Sequence, residues 1–116
     1  MAETTKTCFR LAGVTFDNDM ETDGGCESRQ YLLSRVYKKN KSCTVVLDHT
    51  TFTDPETNET EPAIRVRLSG SLKTVGWVPK SDIKECEQYN RMLLKVSEGN
   101  NGTYYGFLFV LKRDRR

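Results

Sequence analysis

The sequence holds one histidine, one tryptophan and three prolines, and no apolar run approaches the roughly 20 residues that a membrane-spanning helix requires. The lone histidine, His49, stands beside Asp48 in a stretch of strand character. Neighbouring strand positions point to opposite faces, so the two make no ready catalytic dyad. No serine lies in a nucleophile-elbow pattern, and there is no Walker loop, dinucleotide glycine fingerprint or defensible carboxylate pair. Gly24-Gly25 reads as a flexible turn. An enzyme is not expected; a cleft that leaves no mark in sequence, with Asp48 and His49, is the remote alternative. The cysteines Cys8, Cys26, Cys43 and Cys86 are scattered, without the C-x2-C spacing through which one turn of chain supplies two zinc ligands. No metal or cofactor is therefore expected. Residues 1–6 are polar rather than signal-like, which makes a cytoplasmic protein with no membrane partner the expectation. The thiols are then read as reduced and packed as small apolar groups, and the sequons at Asn40, Asn58 and Asn101 as unglycosylated.

What is present is enough for one domain. With 116 residues, 36% of them hydrophobic, the chain can bury a core without staples. The expected layout is a disordered N-terminus over 1–6, a single domain over 7–112 and a basic tail over 113–116. The net charge is only +2, but the charges are segregated. Residues 29–41 carry Arg29, Arg35, Lys38, Lys39 and Lys41 with no acid, and residues 62–80 carry Arg65, Arg67, Lys73 and Lys80 with none. Acids gather in two blocks of loop composition: Asp17, Asp19, Glu21, Asp23 and Glu27, then Asp54, Glu56, Glu59 and Glu61. Such blocks are ordinary solvated surface, or else the border of a positive face that draws a polyanion along a track.

Residues 8–16 (CFRLAGVTF) read as a first strand with a bulge or close approach at Gly13. Residues 27–39 form a helix with Tyr31, Leu32 and Val36 on its apolar stripe and Arg29, Arg35 and Lys38 outside it, stopped at Asn40. Residues 42–51 are a β-branched strand, and 52–62 an exposed connection. Over 63–68, Ile64, Val66 and Leu68 alternate with Arg65 and Arg67, so the two arginines share one sheet face. Ser69-Gly70-Ser71 turns into a strand over 72–78, and Pro79 opens a short helix over 80–89. Strands at 91–98 and 103–112 flank an Asn-Gly hairpin, with Tyr105, Phe107, Phe109 and Leu111 as the buried face of the second. The fold class is mostly β (α+β): a small six-stranded OB-like or SH3-like barrel with two short helices, which leaves no exposed edges.

Single-stranded nucleic acid is held by cations that follow phosphates and by aromatic faces that stack bases. The chain offers Arg65 and Arg67 on one face, Lys73 and Lys80 beside the next strand, and Phe16 and Trp77 as stacking surfaces. A lone tryptophan in a small domain is more often core. The tail residues Lys112, Arg113, Arg115 and Arg116 add non-specific phosphate affinity or are simply solvated.

Ala63-Ile64-Arg65-Val66 followed by Val75-Gly76-Trp77-Val78-Pro79-Lys80 resembles the closing half of a HIRAN domain, and Leu11-Ala12-Gly13-Val14-Thr15-Phe16 is similar to that family's opening strand. Val45 to Leu47 resembles its middle strand, so the likeness covers most of residues 7–83. The resemblance implies an OB-like barrel, found alone in bacteria or attached to helicase-like remodellers, that captures the 3′ end of single-stranded DNA in an aromatic and basic groove. By position, Phe16 matches the stacking aromatic, Trp77 the aromatic or histidine, and Lys80 a frequent base. The stretch Asn58-Glu59-Thr60-Glu61-Pro62 lacks the Tyr-Asp that reads the DNA end in that family, and Thr15 replaces an arginine. Fold kinship is therefore implied more firmly than 3′-end recognition.

The expected function is a non-enzymatic nucleic-acid-binding module engaging single-stranded DNA or DNA ends through Phe16, Arg65, Arg67, Lys73, Trp77 and Lys80. A protein partner such as a helicase or nuclease fits this reading. The alternative is a protein-interaction or structural module that kept the barrel and lost the DNA-end site, which Glu59 and Glu61 favour. Oligomeric state is left open.

Overall fold

Alternating strands and a long hairpin dominate the chain, and they fold into one six-stranded antiparallel sheet in the order β1-β6-β5-β2-β3-β4. The computed structural model describes residues 6–111. The expected basic tail, and the expected disordered N-terminus up to residue 5, lie outside the described residues. The strands are β1 (Cys8–Arg10), β2 (Ser42–Thr53), β3 (Thr60–Leu68), β4 (Thr74–Trp77), β5 (Arg91–Glu98) and β6 (Tyr104–Val110), with helices α1 (Arg29–Lys39) and α2 (Ile83–Cys86). No helix among the described residues is long and apolar enough to cross a membrane.

The first strand is shorter than its composition predicts. After Arg10 the chain leaves the ladder with β6 and crosses to β4, where Ala12 and Trp77 exchange both backbone hydrogen bonds, at 2.7 and 2.9 Å. The segment just after β1 thus reaches β4, at the other end of the strand order, through one bridge. The β2–β3 hairpin is longer than expected: Phe52 and Thr53 still pair with Glu61 and Thr60, so the connection shrinks to 54–59. Pro62 is the third residue of β3 and is tolerated in a stretch where the strand pairs with β2 alone, since β4 joins only from Arg65 onward.

Helix α1 starts where Ser28 caps it, its hydroxyl accepting from the Tyr31 amide, and ends at Asn40 as predicted. Its buried face differs from the expected stripe. Arg29, Leu32 and Leu33 are buried, while Tyr31 is exposed with the Arg35 guanidinium against its ring. Pro79 opens only a short 3-10 turn (Lys80–Asp82) and the single turn of α2, rather than a helix to residue 89. Lys6 pairs with Asp82 at 2.8 Å and fastens the start of the described chain to that turn.

The core is a single cluster that includes Phe9, Leu11, Leu33, Val45, Ile64, Val66, Val75, Met92, Leu94 and Leu108. The last strand turns the other way from its prediction. Gly106 and Leu108 face inward, and Phe107 and Phe109 lie half-buried on the outer face with Lys95 over the Phe109 ring. Leu108 sits opposite Phe9 and Leu94, two inward positions, and Gly106 makes room for Leu11, whose Cδ2 lies 2.8 Å from where a Cβ would stand. Neighbouring strands therefore choose the face.

All four cysteines are free, but only Cys86 is packed away as predicted; Cys26 is exposed and Cys8 and Cys43 are half-buried. Burial, with Asp82 and Glu85 nearby, pushes the Cys86 thiol up to about 12 from its ordinary 9.0. The folded chain thus keeps a proton that the unfolded chain releases, so the stability from this group is complete below pH 9.0 and is lost as pH rises towards 12. Urea titrations at about pH 8 and about pH 10.5 should show a steeper loss for the native chain than for Cys86→Ala. Parallel losses would mean that the thiol ionises freely in the folded state.

Candidate nucleic-acid interface

Arg65 and Arg67 emerge on one outward face of β3, as the alternation requires. Register sets Asp48 of β2 opposite Arg65 on one side and Trp77 of β4 opposite it on the other. The Arg65 guanidinium stacks 4.7 Å from the Trp77 ring centroid. Its Nε lies 3.3 Å from Asp23 Oδ1 and its Nη1 3.4 Å from Asp48 Oδ2. Arg67 shares Asp48, with its Nε 3.3 Å from Oδ2, and donates from Nη2 to the Thr22 carbonyl at 2.6 Å.

The face is covered by the loop over 13–28, which the acidic block marked only as solvated connection. Asp23 is 5% exposed and lies between Arg65 and the Arg29 Nη2, 3.8 Å away. Arg29, expected outside the apolar stripe, is buried. It donates to Asn18 Oδ1 at 2.6 Å and to the Gly13 carbonyl at 2.8 Å, while Asn18 donates to the carbonyls of Glu27 and Thr74. Burial pulls the Arg29 guanidinium below its ordinary value, and the neighbouring Asp23 carboxylate opposes this only in part. The buried Asp23 Oδ1, Arg65 Nε and Arg67 Nε meet carboxylate or guanidinium at ion-pair distance without an aligned hydrogen bond.

Gly13, where a bulge or close approach was expected, adopts a left-handed φ of +69°. A Cβ there would stand 3.1 Å from Arg29 Nη1, 3.5 Å from the Phe16 ring and 3.7 Å from the Trp77 ring. Phe16 and Trp77 therefore flank one point. Phe16 is 69% exposed and Trp77 is partly exposed.

Of the six residues predicted from sequence, Phe16, Arg65, Arg67 and Trp77 come together, and the two lysines stand at the margins. Lys73 pairs with Glu27 of the covering loop. Lys80 pairs with Glu61 at 2.8 Å, and Glu61 is four residues from Arg65 along β3, about 13 Å of strand. The expectation of free cations on the sheet face is corrected here: each of Arg65, Arg67, Lys73 and Lys80 already has a carboxylate. Asp23, Asn18 and Arg29 were not anticipated as parts of the site. No periodicity marks a loop residue, and the one available signal was an acidic block roughly matching the neighbouring basic run in number. Asp48, considered beside His49, faces these arginines, while the His49 Nε2 lies 2.7 Å from the Tyr89 carbonyl on the other face.

No family model, curated protein or solved structure matches this chain.

Proposed function

We propose that the chain is a non-enzymatic nucleic-acid-binding module with a HIRAN-like barrel, and that it stacks bases of single-stranded or end-containing DNA on Phe16 and Trp77. The observation that carries this reading is the exposed Phe16 ring beside a tryptophan whose indole is held by Arg65. A large aromatic left in water on a braced loop has no core role, and base stacking needs such a face. The Ala12–Trp77 bridge supports closure of the sheet into a barrel, because it joins β4 to the segment that follows β1, the strand at the other end of the order. In this reading Arg65 and Arg67 build the wall behind the platform instead of following phosphates.

The test is fluorescence anisotropy with labelled single-stranded DNA, free and blocked at the 3′ end. Phe16→Ala should weaken binding by about 1–3 kcal/mol, roughly 5- to 150-fold, with the salt dependence unchanged. Preference for the free end would support end capture; equal binding of both would support a general single-strand binder. Unchanged affinity of Phe16→Ala would remove the platform.

One observation favours a second reading, a protein-interaction module. The sheet-face cations are neutralised internally, and Phe16, Met20 and Leu72 present exposed apolar surface. Absence of DNA binding at low salt, together with co-purification of one protein partner, would select it.

A further inference from the structure

Positive charge without an acidic partner is found elsewhere, on α1. A groove of about 790 Å³ runs between this helix, the start of β2 and the β3–β4 turn. Arg35, Lys38, Lys39 and Lys73 line it, and no carboxylate does. Arg35, Lys38 and Lys39 are exposed, and among the described residues no acid pairs with them. This contrasts with Lys6, Arg29, Arg65, Arg67, Lys73 and Lys80, all of which are tied to aspartate or glutamate. The helix dipole accounts for lysines in a last turn, but not for Arg35 one turn earlier, nor for a concave surface free of acid.

We infer that this groove binds the phosphate backbone of a single-stranded nucleic acid, continuing the strand whose bases stack on Phe16 and Trp77. The ligand class rests on the proposed function; the site does not, since it shares no residue with the platform. Three observations point to a strand. Positions 35, 38 and 39 are spaced i, i+3 and i+4, so their charges cluster on one face of the helix. Val36 and Leu68 add apolar lining suited to sugar and base faces, and the volume falls within the roughly 300–1,000 Å³ of ligand-sized clefts. Lys73 joins the two regions, because it lines the groove and pairs with Glu27 of the loop that carries Phe16. A strand leaving the platform past Lys73 enters a groove in which Arg35, Lys38 and Lys39 pair with no acid among the described residues.

The experiment titrates the full chain with labelled oligo-deoxythymidine at several salt concentrations, using the triple variant Arg35→Gln, Lys38→Gln, Lys39→Gln beside Phe16→Ala. Each lost phosphate contact removes about 0.7 from the slope of log K against log salt on a single strand, so the triple variant should be shallower by about 2. The single variant Lys39→Gln should be shallower by about 0.7, which keeps the test available if the triple variant misfolds. Replacing Lys38 and Lys39 by arginine should preserve the native slope. If the groove variants match the native chain while Phe16→Ala weakens binding, the groove is overturned and the platform stands. If they are weaker and shallower while Phe16→Ala is unaffected, the groove stands and the platform falls. Loss of all binding by the native chain, or equal binding of poly-glutamate, would overturn the nucleic-acid assignment of the groove.

Discussion

Asp23→Ala should lower the free energy of unfolding by about 3–5 kcal/mol, the loss typical of breaking a buried ion pair from one side. The aspartate is nine-tenths buried or more, and the side chains of Arg29 and Arg65 that face it are themselves largely covered. Guanidinium groups do not deprotonate in proteins, so removing the carboxylate leaves two cations with less compensation in a poorly hydrated site. The Asp19 amide, which donates to Asp23 Oδ2 at 2.8 Å, loses its acceptor as well. Against a total stability of about 5–15 kcal/mol, this is a large fraction. Urea unfolding of Asp23→Ala, Arg65→Met and the double variant measures it. The double variant should be less destabilised than the two single losses added together, because removing both partners spares the uncompensated charge. Additive losses, or a loss below about 1 kcal/mol for Asp23→Ala, would mean that the loop is anchored by packing and that the ion pairs are incidental. The functional consequence is direct: the loop over 13–28 carries Phe16, so weakening its anchor releases the ring from its place beside Trp77.

Gly76→Ala should destabilise by about 1–3 kcal/mol or more through overpacking. A Cβ at this position would stand 2.6 Å from the Ala12 carbonyl oxygen and 2.7 and 2.8 Å from Leu11 Cγ and Cδ1. The first of these is backbone, on the residue that bridges to Trp77, so it cannot move aside without opening the bridge. Gly70→Ala is the control, since nothing lies within 4 Å of its added carbon, and its effect should stay within about 0.5 kcal/mol. Thermal melts compare the two. Hydrogen exchange adds a local readout, in which the Ala12 and Trp77 amides, protected by their mutual bonds, should exchange faster in Gly76→Ala. Native-like melting and native-like protection would show that β4 and the 11–13 segment separate at little cost.

Much of the fold is legible along the chain where local rules agree. The strand at 91–98 and the Asn-Gly hairpin after it fall where alternation and turn chemistry place them, and α1 stops at Asn40. Arg65 and Arg67 share a face because a strand repeats every two residues, whatever it packs against. The same rule cannot say which face is inside. In β6 both faces are apolar, and Leu108 is buried while Phe107 and Phe109 lie outside because Phe9 and Leu94 meet Leu108 across two ladders. The site divides in the same way. Phe16 and Trp77 are visible in the sequence as aromatics, but Phe16 lies in the loop beyond β1 rather than at the strand end expected, and their meeting at Gly13 depends on that loop and on a bridge joining residues 12 and 77.

Charge makes the division sharpest. Composition and spacing were sufficient to find two acid-free basic stretches, to make one of them a strand face and the other a helix face, and to put acids in the loops. Which stretch keeps its charge was settled by folding: Asp23 and Asp48 reach the strand arginines, while no acid of the described residues reaches Arg35, Lys38 or Lys39. An ion pair requires a separation of about 4 Å, and Coulomb attraction depends on that distance in space rather than on the number of residues between partners. Asp23 and Arg65 are far apart in the chain and adjacent in the fold, so their mutual neutralisation belongs to the packing of loop on sheet and to no pattern along the sequence.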